Sequence, residues 1–305
     1  MNAHASLAEP SAAAPIPRGR NYARRYWVFA VPAAIVVAAV ILFPWIFTLF
    51  MSVHDWKVSG DTPFVGLANY KKMLFDERFQ WAIIRTLAFT AASVIAPMIL
   101  GVWAAVCFSS KFRLQGLART IFVLPMMATP VAISLVWTMM FHPQLGVLNY
   151  LLSTVGIPPS TWVYDAHTVI PTLVMVETWQ WTPLVMLIVL GGIASLPTDP
   201  YEAAILDGAS PWQMFRHITL PLVFPFIVVA GVIRVIDALK AFDTIYVITL
   251  GGPGNASETL NILLYQTAFA YYDLGYGSAM VVIFFLLILL VSMGLLVARR
   301  AEVKT

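Results

Sequence analysis

Only one cysteine occurs in the 305 residues, Cys107, and it lies inside an apolar run. That excludes an intrachain disulfide and a multi-cysteine metal site, and the thiol is expected to be inert packing. Charge is scarce too. Asp, Glu, Lys and Arg make up 11% of the chain, under half of the roughly 25% usual in soluble proteins. With 60% hydrophobic residues, a soluble domain of this length could not hide its apolar surface. Lipid is therefore the solvent for most of the chain. His4, His54, His142, His167 and His217 are far apart in sequence, in places that favour hydration over metal ligation, so no metal site is expected. There is no Gly-x-x-x-x-Gly-Lys-Ser/Thr run, so the chain should hold no ATP or magnesium itself. His-Glu-x-x-His and Gly-x-Ser-x-Gly are missing as well, and no catalytic role is expected. The net charge of +3 comes from basic residues scattered at the ends of apolar runs, which suggests no nucleic-acid partner.

What the chain does have is length of apolar sequence. Residues 1–20 are rich in Ala, Pro and Ser and lack a hydrophobic period, so 1–26, with Arg18, Arg20, Arg24 and Arg25, reads as a disordered basic tail. The run from Trp27 to Val53 is far longer than the core of a signal peptide, about 7–15 residues, and is expected to stay as a membrane helix. Five further runs, 82–108, 120–141, 169–196, 222–250 and 278–298, can each cross about 30 Å of hydrocarbon. The expected fold is an all-α polytopic membrane protein with six spanning helices in 27–298, a short tail at 299–305 and both termini on one side. Eleven Lys and Arg residues fall on that side and four (Lys57, Lys71, Lys72, Arg78) on the other, which places the termini and the 197–221 loop in the cytoplasm. Pro97, Pro125, Pro130, Pro183 and Pro225 sit inside the runs, as membrane bundles tolerate.

The 197–221 loop carries its own helix punctuation. Asp199, Pro200 and Glu202 read as N-cap, first helical proline and capping-box partner. Asp207-Gly208 stops that helix, with glycine supplying the left-handed conformation. Ser210-Pro211-Trp212-Gln213 repeats the cap, proline and box, so two short helices at an angle are expected, ending at Pro221. Such a loop is either a connecting hairpin or a docking element.

The residues discriminate. Glu202-Ala203-Ala204, then Asp207-Gly208-Ala209, then Ile218-Thr219-Leu220-Pro221 resembles the EAA loop of permease subunits in bacterial binding-protein-dependent ABC importers. In that family the loop is the coupling helix, seated in a cleft of the ATP-hydrolysing subunit. Glu202 would supply charge at the contact or only cap its own helix. The resemblance extends over most of the chain: Phe64-Val65-Gly66-Leu67-Ala68-Asn69-Tyr70, Gly146-Val147-Leu148-Asn149, and Phe242 to Thr249 leading into Gly251-Gly252-Pro253-Gly254 are similar to carbohydrate-type permeases. It implies a type I importer permease fold of the compact six-helix kind in the bacterial inner membrane. It also implies a second permease subunit, two ATP-binding subunits that hold ATP and magnesium, a periplasmic solute-binding protein and a sugar-type substrate. Gly251-Gly252-Pro253-Gly254 would be a helix stop or a substrate contact. The competing function is an ion-coupled secondary transporter of a small polar solute, which the EAA match and the lack of an internal repeat oppose.

Helix five holds Arg234, Asp237, Lys240 and Asp243 at intervals of three. At about 2.5–3.5 kcal/mol each at the bilayer centre, these must be paired or wet. The spacing allows contacts along one helix, giving either a self-neutralised ladder or a polar lining to a path. Arg234 lies about 20 Å beyond Pro221 at 1.5 Å per residue, near the depth of Glu177 to Leu184 on helix four, where Trp179, Gln180 and Trp181 add polar and aromatic surface suited to a sugar. By resemblance, Gln180, Trp181 and Leu184 with Arg234, Asp237, Ala238 and Ala241 would line the substrate path. Arg234 departs from the small or neutral polar types common there, which leaves an anionic sugar derivative open. The tryptophans could equally be packing.

Overall fold

A computed structural model describes residues 22–56 and 61–302, with only the backbone path at 22–26, 28, 296 and 298–302. The expected tail up to residue 21, Lys57 and Lys304 lie outside the described residues. Among the described residues the chain is helical, with one isolated antiparallel bridge between His54 and Phe64. It divides into two compact units, at Phe47 and Thr48.

The helices follow the apolar runs in order. They are α1 (Tyr22–Ser52), α2 (Ala68–Leu74), α3 (Glu77–Ser109), α4 (Gln115–Met127), α5 (Pro130–Met140), α6 (Val147–Thr154), α7 (Val169–Ala194), α8 (Asp199–Leu206), α9 (Pro211–Met214), α10 (Leu220–Leu239), α11 (Asp243–Thr249), α12 (Leu260–Tyr265) and α13 (Leu274–Glu302). Among the described residues, five helices are long and apolar enough to cross a membrane, and a sixth crossing counts if α4 and α5 are one span. Helix α1 begins ahead of Trp27, and α13 runs past residue 298 into the expected tail.

Two expected spans are not continuous. The third bends by 96° between α4 and α5. Thr129, with ψ 139°, precedes Pro130, and the proline ring denies its predecessor the helical conformation. The fifth run stops at Leu239 and restarts at Asp243. Asn261 donates to the Lys240 carbonyl at 2.9 Å, so the broken backbone is satisfied by protein, as lipid requires.

Helix α7 is the axis of the larger unit, packed on α3, α4, α10 and α11. Val176 and Val185 are both fully buried but belong to different cores. One core joins Phe89, Ile133, Phe141, Leu173, Val176, Ile245 and Ile248, and a second joins Ala104, Ala105, Val185, Met186, Val189, Val223 and Ala230; a third, around Met73, Phe79, Leu260 and Met280, lacks α7 residues. Gly101 of α3 lets the two longest-paired helices close up: a Cβ there would stand 2.5 Å from Val185 Cβ, the small-residue contact typical of membrane helix pairs. Cys107 is not packing. It lies on an exposed face of α3.

The family-like segments outside the loop act as braces. Asn69 donates to the Ser52 and His54 carbonyls at the end of α1, at 3.0 and 3.1 Å. Asn149 donates to the Pro143 and Ser160 carbonyls and accepts from Trp162 Nε1 at 2.7 Å. Gly251 and Gly254 hold φ of +93° and +58° beside left-handed Leu250, which makes this run a helix stop and turn.

Candidate functional site

The coupling-type segment starts one residue earlier than its sequence suggests. Thr198 is the N-cap and makes no side-chain cap bond, while Asp199 and Pro200 fill the first two helical positions. Glu202 is therefore no capping-box partner. Its carboxylate is exposed in the first turn of α8, where the helix dipole favours negative charge. The C-terminus closes as a Schellman motif: Gly208 N–H donates to Ile205 O at 3.1 Å and Ala209 N–H to Ala204 O at 2.9 Å. Gly208 holds φ +74° with open space around its missing Cβ, so the constraint there is backbone conformation alone.

The Ser210 capping box forms, with Gln213 N–H donating to Ser210 Oγ at 3.3 Å and Ser210 N–H to Gln213 Oε1 at 2.7 Å. The second short helix does not end at Pro221. α9 runs through a π turn, Phe215–Thr219, into α10, making one apolar helix of 29 residues, Pro211–Leu239. Pro221 has no N–H for the carbonyl four residues back and its ring crowds that carbonyl, which a wider turn relieves. Tyr201 OH bonds Thr219 Oγ1 at 3.0 Å, so α8 is tied to the root of the spanning helix. No residue of α8 is buried. Leu206 is 88% and Ile205 63% exposed, on a helix whose C-terminus is closed.

The second cluster lies between the two cores that include α7. Arg234 of α10 is 0% exposed, and its Nη2 donates to Glu177 Oε2 and to the Ser93 carbonyl, both at 3.3 Å. Thr244 of α11 donates from Oγ1 to the other Glu177 oxygen at 3.0 Å. The Trp181 ring lies 4.8 Å from the Arg234 guanidinium carbon, within cation–π range. The expected ladder along helix five is thus corrected at its first rung: Arg234 pairs across helices with Glu177 because a buried cation needs a desolvated counter-charge. Only Asp237 and Lys240 remain close along the helix, at 4.0 Å and largely accessible. Arg234 Nε and Nη1, Gln180 Oε1, Ser93 Oγ and Thr90 Oγ1 are buried without a protein partner, a state costing about 1–3 kcal/mol per group.

Of the residues expected along the path, Trp181, Leu184, Asp237 and Ala241 are partly accessible, whereas Gln180, Arg234 and Ala238 are buried. Trp179 packs edge-on against Trp137, centroids 5.6 Å apart. Glu177, Thr244 and Ser93 belong to the cluster although the sequence singled out Glu177 only by depth. A lone acid in the apolar run 169–196 was the available signal.

Residues 97–301 match the family described as binding-protein-dependent transport system inner membrane component. The trehalose/maltose transport system permease protein of Thermococcus litoralis is 35% identical over 267 residues, covering 86% of this chain and 89% of that protein. The sulfoquinovosyl glycerol transport system permease protein of Agrobacterium fabrum is 32% identical over 264 residues, covering 86% and 85%. A crystal structure of a bacterial alginate ABC transporter, in complex with an alginate pentasaccharide-bound periplasmic protein, shares the fold at a TM-score of 0.80 and 21% identity, covering 92% of this chain and 97% of that chain.

Proposed function

The chain belongs to the family of binding-protein-dependent transport system inner membrane components, and from that premise we propose that it is the translocating subunit of an ATP-driven sugar importer. As a multi-pass permease it carries the path and leaves ATP hydrolysis to two partner subunits. A second permease subunit completes the path, and a periplasmic binding protein delivers the sugar. The termini and the 197–221 loop face the cytoplasm, on the side of the eleven basic residues.

The observation that carries this function is α8. A short helix closed at its C-terminus, with none of its own residues buried and Ile205 and Leu206 exposed, presents a surface suited to docking. Ala203, Ala204 and Gly208 are small enough for close approach, and exposed Glu202 offers charge at the contact. Motion of that partner enters α10 directly, since α9, the π turn and α10 are one helix and Tyr201 ties α8 to its start.

The substrate class follows from the path. The guanidinium of Arg234 is buried and shared with Glu177, so it supplies no spare positive charge. Partly accessible Trp181 offers an aromatic face to the apolar C–H side of a sugar. One relative is named for trehalose and maltose and another for sulfoquinovosyl glycerol, which supports a sugar or sugar derivative as the class. Recovery of ATP-binding subunits by the tagged chain tests the docking: Glu202→Lys should reduce it while membrane level stays normal. Equal recovery would leave α8 a mere connector.

A further inference from the structure

One polar layer separates the two cores that include α7, and the fifth span breaks at that layer. Along α7, Val176 closes one core and Val185 the other, with Glu177, Gln180 and Trp181 between them. Along α3, Phe89 and Ala104 bracket Thr90 and Ser93 in the same way. The halves of the broken span divide likewise. α10 contributes Val223 and Ala230 to one core, and α11 contributes Ile245 and Ile248 to the other.

Both halves reach a single carboxylate. Arg234, five residues before Leu239, holds one oxygen of Glu177; Thr244, the second residue of α11, holds the other. Glu177 is 4% exposed and Thr244 3%. The two tethers are unequal. Arg234 is held also by the Ser93 carbonyl and the Trp181 ring, so its grip on the layer does not depend on Glu177 alone. Thr244 brings a neutral hydroxyl. The unpartnered Thr90, Ser93 and Gln180 groups of the layer supply bonding capacity for a second arrangement.

We infer that Glu177 is a positioning residue for translocation, the pin that keeps α10 and α11 in register at the break so that motion entering from the coupling segment is delivered to the path. The inference rests on the proposed function and adds a residue to it.

The test uses the assembled transporter in proteoliposomes. The probe is the radiolabelled neutral mono- or disaccharide that most raises the melting temperature of the binding protein. Thr244→Val keeps the shape and removes the hydroxyl. It should leave assembly intact, lower the melting temperature because Glu177 Oε1 loses its donor, and lower maximal uptake about 2- to 30-fold, the range for residues that couple sites. ATP hydrolysis should persist, so ATP consumed per sugar rises. Thr244→Ser should restore coupling, and Glu177→Gln combined with Thr244→Val should be no worse than Glu177→Gln alone. If Glu177→Gln fails to assemble, the two Thr244 variants decide. Wild-type uptake and stoichiometry in Thr244→Val, failure of Thr244→Ser to restore them, or a change confined to the half-saturating sugar concentration would overturn the inference. Absence of ATP-dependent uptake by the wild-type complex would instead count against the proposed function.

Discussion

Glu177 Oε2 lies 3.3 Å from Arg234 Nη2, a bond between α7 and α10 across 57 residues of sequence. Both partners are buried, so removing one strands the other's charge. Arg234→Ala should destabilise the protein by about 3–5 kcal/mol, seen as a lower melting temperature in detergent. Joint replacement with Glu177→Leu and Arg234→Leu should recover most of that loss, because an apolar pair needs no desolvation. A double variant as unstable as Arg234→Ala would show that the pair is not a closed charge unit.

Asp237 should behave differently. Its side chain and that of Lys240 are 39% and 53% exposed at 4.0 Å, a geometry worth about 0–1 kcal/mol. Asp237→Asn should leave the melting temperature nearly unchanged, so an uptake defect in it reports on the path. A large drop in melting temperature would return Asp237 to the structural charges.

Gly208 constrains the proposed coupling segment through backbone conformation. A side chain in the left-handed region costs about 1–2 kcal/mol, and a β-branched one suits it least. Gly208→Val should abolish uptake with normal membrane insertion, while Gly208→Asn, a residue tolerated at such caps, should retain much of it. Equal activity of the two would uncouple function from the Schellman closure.

Trp181 rests on Arg234 and is partly accessible. Trp181→Ala should raise the half-saturating sugar concentration or cut the uptake rate at normal protein level. Trp179→Ala, which removes a packing ring against Trp137, should act through stability instead. The opposite assignment of effects would move the path to another face of α7.

The order of the spans, the Ser210 capping box and the left-handed glycine were legible because each depends on nearby residues: run length, Ser210-Pro211, Asp207-Gly208; the cap at Thr198 was missed because Asp199-Pro200 carries the same signal one residue on. The bend at Thr129-Pro130 also has a local cause, obscured by the unbroken hydropathy of 120–141. The break at 240–242 was not legible, since charges three apart read as one continuous helix. Nor was the true partner of Arg234. Packing of α10 on α7 selects Glu177 over Asp237, and no local spacing encodes that choice. Cys107 misled for a related reason: in lipid an apolar run has an exposed apolar face.

Sidedness is testable by labelling in a Cys107→Ser background. Ser210→Cys should resist an impermeant thiol reagent applied to intact spheroplasts, and Leu145→Cys should react. Leu145 is 85% exposed, whereas Ser257 on the same expected side is fully buried and unsuitable. Reversed labelling would place the coupling segment outside the cytoplasm.

In the proposed function, ATP acting through partner subunits drives passage through this chain. Uptake by proteoliposomes containing the full transporter and its loaded binding protein measures that directly. Uptake should require ATP on the side of α8 and should persist in the presence of an uncoupler. Uptake that proceeds without ATP and collapses with the ion gradient would contradict it.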